Sequence, residues 1–235
     1  MDELAWLLER EYIATLQQLQ VIVDQSEKKL AQPASKFLFT PNEQCSLKAV
    51  VTLNGDEITE ADISVESPFK QFYRCGIAEG SSYKLQQLIG CGSTLQAAKL
   101  CIQQACEVGC QSEPARTLET LDRIFACLKS ARDHVVLPQK KSVEELAHSR
   151  HKEVFHPPVP NDMSLSMYVS GRRLVLAVYF LHYNTRTKSY DISGRYHGQA
   201  VVPWLNDLML HLSRAMLTVA QLIEKLRQLQ LSGAA

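Results

Sequence analysis

At 235 residues the chain has material for one large domain or two small ones, and its 46% apolar and 21% charged content is that of an ordinary globular protein. Lysine plus arginine equals aspartate plus glutamate at 25 each, so the formal net charge is zero. That balance argues against a chain that coats nucleic acid or an anionic membrane, since both tasks need an excess of cations.

The first helical pattern covers residues 2–30. Ala5, Leu8, Tyr12, Thr15, Leu19 and Ile22 recur in steps of three and four, flanked by Leu16, Val23 and Leu30, and Gln32-Pro33 closes the run. The period then drops to two. Residues 47–53 read as a strand ending at Asn54-Gly55, a tight-turn dipeptide, with further strands expected over 61–66 and 69–77. Helical spacing returns over 82–108 (Leu85, Leu88, Leu95, Ile102), where Gly90 and Gly92 are weak points, and over 114–134 (Leu118, Leu121, Phe125, Leu128). The short connector at 109–113 predicts that these two helices form an antiparallel hairpin.

Residues 138–160 read as a crossing linker, with a short helical candidate at 143–148 and an extended His156-Pro157-Pro158-Val159-Pro160. Met163, Leu165, Met167 and Val169 alternate with Ser164, Ser166, Tyr168 and Ser170, a half-buried strand by pattern. Gly171-Arg172 turns the chain into residues 174–181, apolar on both faces and so expected at the centre of a sheet. A last strand is expected over 196–202. From Pro203, well placed in a first helical turn, Leu205, Leu208, Leu212, Ala215, Val219, Leu222, Leu226 and Leu229 form a heptad stripe, with Met209, Met216 and Ile223 adding a third apolar position. Three apolar positions per heptad suit a helix inside a bundle better than a two-stranded zipper.

These elements predict an α+β fold: an antiparallel helical bundle from residues 1–33, 82–137 and 203–235, and a separate antiparallel β-domain from 36–80 and 160–202.

Chemistry is sparse. The seven cysteines form no C-x-x-C pair, and Cys91, Cys101, Cys106 and Cys110 have no nearby histidine, so they read as reduced thiols used as small apolar residues. His148, His151 and His156 lack metal-ligand spacing and read as a solvated loop. Asp24, Glu27, Glu57, Glu60 and Asp62 are not placed across a cleft by their spacing, and neither a nucleophile elbow nor a glycine-rich phosphate loop occurs. Neither catalysis nor a metal or cofactor is expected. The longest apolar run is far short of the ~18–20 residues of a membrane span, so no direct membrane insertion is expected. The acidic start Met1-Asp2-Glu3 is unlike a secretory signal, and an intracellular protein is expected. A DNA-binding zipper needs a basic helix leading into the heptads, whereas residues 196–203 are neither basic nor helical, so no nucleic-acid partner is expected.

Val201-Val202-Pro203-Trp204-Leu205-Asn206-Asp207 resembles the Pro-Trp-Leu-Asn-Asp signature of the Rogdi family of leucine-zipper proteins. Trp6-Leu7-Leu8 with Leu16-Gln17-Gln18-Leu19-Gln20, the stretch Val51-Thr52-Leu53-Asn54-Gly55-Asp56 with Ala61-Asp62, Lys84-Leu85-Gln86-Gln87 and residues 173–182 are similar to that family in the same order. The chain departs from it in a compact segment at 184–197 and in ending soon after the last helix. The resemblance implies a non-catalytic subunit like the smaller one of the RAVE complex, which promotes assembly of the vacuolar-type proton-pumping ATPase. It implies as partners WD-repeat rabconnectin-type subunits and the peripheral sector of that ATPase, with this chain a monomer within a hetero-complex. The implied location is cytoplasmic, with recruitment to acidic organelles or vesicles and a possible nuclear presence. A nuclear or signalling scaffold of the same fold is the alternative. The family carries no catalytic residues over. Pro203, Trp204, Leu205, Asn206 and Asp207 stand as structural motif residues, and Leu208, Leu212, Val219, Leu222, Leu226 and Leu229 as the heptad core.

Overall fold

The helical periods and the strand alternations sort into two sets of elements. The computed structural model describes residues 7–41, 46–66, 70–108, 114–139, 141–148, 153–186 and 188–233. A π-helical turn, Leu7–Tyr12, leads into α1 (Ile13–Leu30). The other helices among the described residues are α2 (Gln86–Val108), α3 (Pro114–Val136), α4 (Val143–Ala147) and α5 (Pro203–Gly233). The strands are β1 (Ser35–Pro41), β2 (Lys48–Asn54), β3 (Glu57–Glu66), β4 (Phe72–Ile77), β5 (Tyr83–Lys84), β6 (Phe155–His156), β7 (Met163–Ser170), β8 (Arg173–Asn184) and β9 (Ser189–Val201). The chain is therefore mixed α+β with an antiparallel sheet. It divides into two compact units, one of residues 1–30, 90–135 and 206–235, the other of 31–89 and 136–205.

The first unit is helical, and each helix turns one stripe inward. Leu16, Leu19, Ile22 and Val23 of α1 are buried, as are Leu95, Ala98 and Ile102 of α2, Leu121, Ile124, Leu128, Ala131 and Val135 of α3, and Leu208, Leu212, Ala215, Val219, Leu222 and Leu226 of α5. Leu229 is half-buried. Ser26, the polar residue on the inner face of α1, donates its hydroxyl to the carbonyl of Ile22 at 2.8 Å and so buries no unsatisfied group. Contacts at both ends show how the helices run. Lys29 near the end of α1 pairs with Asp207 near the start of α5, and Glu11 pairs with Lys225 near the far end of α5. Gly90 lies against the His134 ring, so that an added Cβ would sit 2.7 Å from the imidazole, while Cys101 lies beside Arg123. α5 thus runs opposite to α1, and α3 opposite to α2. The stripe of α3 differs from the expected one. It centres on Thr117, Leu121, Ile124 and Leu128, which leaves Leu118 and Phe125 at its margin, because the small Ala131 and the β-branched Ile124 complete a stripe that large residues alone did not mark.

In the second unit the strand order is β6-β4-β3-β2-β1-β9-β8-β7, with β5 paired to β3 off that path. β1, which no sequence pattern marks as a strand, joins the two halves: Ser35 to Phe39 pair with β2, whereas Thr40 and Pro41 pair with Gln199 and Gly198 of β9. The sheet curls, since the rings of Tyr73 on β4 and Phe180 on β8 meet at 6.4 Å although four strands lie between theirs in the order. Two tight hairpins use glycine at positive φ, Gly55 between β2 and β3 and Gly171 between β7 and β8, where a side chain would be strained. Gly76 answers a different need: a Cβ there would lie 2.5 Å from the Ala61 carbonyl oxygen on the paired strand β3.

Four expectations need correction. Residues 83–84 are a strand, not the start of a helix, because Tyr83 and Lys84 continue the sheet opposite Ile58 and Glu57 before α2 begins at Gln86. β9 begins at Ser189 rather than at 196, since β8 supports it along its whole length. β7 is not half-buried: Ser164 and Ser166 are as buried as Leu165 and Met167. Within 138–160 the short helix expected at 143–148 is present as Val143–Ala147, capped by Ser142 and Glu145, but Phe155–His156 is a strand beside β4 and not linker. The expected connector 109–113 lies outside the described residues.

Candidate functional site

Beyond packing, the side chains offer few chemical groups. Among the described residues, no three or more His, Cys, Asp or Glu side chains cluster as a metal ion would require. Burial pushes the Cys75 thiol up to about 11 and the Cys91 thiol up to about 12, which makes both packing residues at neutral pH. His148 is exposed at the end of α4, its ring edge-on to Tyr190, and His156 is exposed on β6; His151 and Cys110 lie outside the described residues.

The residues of the Pro-Trp-Leu-Asn-Asp signature form the junction between strand and helix. β9 ends at Val201, the Val202 N–H donates to the Arg172 carbonyl at 2.9 Å, and Pro203 opens α5. Pro203 and Asn206 are exposed, Trp204 is half-buried and Leu205 is buried. Asp207 accepts from Lys29 Nζ at 2.7 Å, and that bond holds its carboxyl below the usual range. The signature thus joins two elements and positions an ion pair. The heptad residues that follow, from Leu208 to Leu226, are packed inside the helical unit, so they present no open seam to another chain.

A surface that a partner could use lies along α1 and α2. Asp24 and Glu27, which sequence spacing left unplaced, both bind Lys99 Nζ, at 2.7 and 2.6 Å, and this bridge holds the Lys99 ammonium well above its ordinary range. Gln20 Nε2 donates to Asp24 at 3.3 Å. Around the bridge the outward residues are almost uncharged. Gln17, Gln18, Val21 and Gln25 face out from α1, and Gln96, Ala97, Leu100 and Gln103 from α2. Val21 is 54% exposed and Leu100 55%, both high for large aliphatic residues. Depletion of charge around exposed apolar side chains distinguishes the centre of a protein interface from ordinary surface. The sequence signal was present in Gln17-Gln18, Gln96 and Gln103-Gln104, but amphipathic reading attends to the apolar stripe and passes over glutamines on the other side. The outer face of α5 adds Leu210 and Leu217, each 60% exposed and one heptad apart. Arg214 is exposed on that face, whereas Lys225 is engaged by Glu11.

Comparison with known proteins finds a family match over nearly the whole chain. The family model described as "Rogdi leucine zipper containing protein" matches residues 3–216. "Protein rogdi" of Drosophila melanogaster is 32% identical over 235 residues, covering 95% of this chain and 86% of that one. "Protein rogdi homolog" of Danio rerio is 25% identical, with 96% and 91% covered, and that of Homo sapiens 24% identical, with 96% and 90% covered.

Proposed function

The chain belongs to the Rogdi leucine zipper family, and on that premise we propose that it is a non-catalytic subunit of a RAVE-like complex, promoting assembly of the vacuolar-type proton-pumping ATPase through protein–protein contacts. The family match across residues 3–216 carries this reading. The role comes from what the resemblance implies, and the chemistry of the chain supports it: a neutral protein offers its surface as its working part. In this reading the four long helices form an antiparallel bundle, the strands form a separate β-domain, and the chain is a monomer within a hetero-complex. A WD-repeat rabconnectin-type subunit docks on the uncharged α1–α2 face, where Val21 and Leu100 flank the Lys99 bridge. The protein works in the cytoplasm and is recruited to acidic organelles with its partner.

Cells lacking the protein should keep normal amounts of the pump subunits but show fewer peripheral sectors on membranes, with less acidic lumens. Membrane fractionation and a luminal pH probe measure this. Val21→Glu with Leu100→Glu, on the exposed face, should lose the WD-repeat partner in a pull-down and leave the cooperative melt unchanged. Unchanged assembly and luminal pH in the absence of the protein, with no WD-repeat partner recovered, would overturn the proposal.

A further inference from the structure

α2 and α3 enclose a polar cavity that the α1–α2 docking face does not use. It is open, has a volume of about 160 Å³, and takes its walls from both helices. On α3, Arg116, Thr120 and Arg123 stand four and three residues apart and so share one face of the helix. On α2, Cys101 and Gln104 stand three apart on the facing side. The antiparallel course of the two helices brings Arg123 to Cys101, with Nη2 3.9 Å from Sγ. The charge on these walls has one sign. Among the described residues none that lines the cavity is acidic, whereas two are arginines. Asp122, beside Arg123 in the chain, is engaged by Arg227 of α5 at 3.5 Å. Thr120 donates its hydroxyl to the Arg116 carbonyl at 2.9 Å, so that proton is spent within α3.

We propose that this cavity binds a phosphate group, held between Arg116 and Arg123. A guanidinium carries five N–H donors in a planar fork, more than one neighbouring acceptor can take, and it pairs with phosphate through two parallel hydrogen bonds. A carboxylate has two oxygens, which one guanidinium satisfies. A phosphate carries more, and so suits a wall with two arginines. The Gln104 amide adds a neutral donor on the opposite wall. The volume sets the size of the ligand, because it falls below the roughly 300–1,000 Å³ of pockets that enclose drug-sized molecules. The cavity therefore takes inorganic phosphate, or the phosphate end of a larger molecule whose remainder stays in solvent. Both arginines are exposed, so binding weakens as salt is added.

The test titrates the full, reduced chain with inorganic phosphate at constant ionic strength, with chloride as the balancing salt. Calorimetry follows binding, and mass spectrometry follows the alkylation of each cysteine by iodoacetamide. Saturable binding is expected. Occupation should slow alkylation severalfold at Cys101, which lines the cavity, and leave Cys106, exposed on α2 outside it, unchanged. Arg116→Gln and Arg123→Gln should each weaken phosphate by about tenfold, the loss of one charged hydrogen-bonding partner. Arg214→Gln, exposed on the outer face of α5, should bind like the wild type. Circular dichroism on each variant separates lost binding from lost fold, and protection of Cys101 in the wild type depends on no variant. Phenyl phosphate distinguishes the two sources: tighter binding than inorganic phosphate assigns the site to the phosphate end of a larger molecule, and weaker binding assigns it to the free ion. Failure to saturate in the millimolar range, equal slowing at Cys101 and Cys106, or equal losses in Arg214→Gln and Arg123→Gln would overturn the proposal.

Discussion

The helical unit and the sheet unit solve the burial of polar groups in opposite ways. A helix satisfies its own backbone, so the helical unit can fill its interior with Leu212, Ala215, Val219 and their neighbours and leave its charges at the helix seams, as in Lys99 with Asp24 and Glu27. A sheet ends at an edge whose N–H and C=O groups need partners. β7 is such an edge, and it is buried. The side chains of Tyr83 and Gln87 close it: the Tyr83 hydroxyl accepts from the Met167 N–H at 3.1 Å, and Gln87 Oε1 accepts from the Val169 N–H at 2.8 Å. Gln87 Nε2 donates to the carbonyls of Val169 and Leu137, both at 2.9 Å. One amide side chain thus stands in for a missing strand. The helical unit depends on apolar fit, the sheet unit on a few buried hydrogen bonds.

If that contrast holds, a charge should do most harm in the helical unit. Leu212 is fully buried, and Leu212→Asp should cost ~3 kcal/mol or more, a large part of the ~5–15 kcal/mol that holds a typical domain. Urea denaturation measures it, and an unchanged midpoint would show that α5 is not packed as described. In the sheet unit the larger loss should come from removing hydrogen bonds without adding charge. Gln87→Leu keeps the volume but strands the Val169 N–H and C=O, at roughly 1–3 kcal/mol for each buried group. Tyr83→Phe takes the partner from the Met167 N–H, one backbone group against two, and should cost less. Equal losses for the two variants, or none, would mean that water closes this edge and the contrast fails.

The same difference explains what could be read from the sequence. The stripes of α1 and α5 were legible because helix packing repeats every three or four residues within one segment, and so were the hairpin at Asn54-Gly55 and the burial of the strand through 174–181, although β8 lies next to the edge strand β7 and not at the centre of the sheet. The role of Gln87 was not, because its partners lie 82 and 50 residues away and nothing local marks a glutamine as an edge cap. β1 escaped notice for a related reason: with Leu38 exposed and Phe39 buried it alternates only briefly, and its pairing is settled by two distant strands. The serines of β7 follow the alternation of a half-solvated strand, and only the cover on both faces overrides it. The glutamine surface of α1 and α2 was written in the sequence, but as an absence of charge, which becomes informative only once α1 and α2 are known to lie side by side.

The smallest effect expected is at the seam where α1 meets α5. The hydrogen bond from Lys29, then its charge, hold the Asp207 carboxyl below its ordinary range, and His211 one turn on adds to the lowering. Both partners are partly exposed, 33% for Lys29 and 47% for Asp207, so solvent screens the pair and its contribution is slight. The sign follows from the direction of the shift. A carboxylate lowered in the folded state stabilises the protein above its ordinary titration range, and that stabilisation is lost as pH falls through the folded value. Asp207→Asn should therefore melt slightly below the wild type at neutral pH, and the gap should close as the solution is acidified below the ordinary carboxylate range. Added salt at neutral pH should narrow the gap as well. A gap that stayed constant from pH 7 to pH 3 would show that Asp207 acts through its shape at the start of α5 and not through its charge.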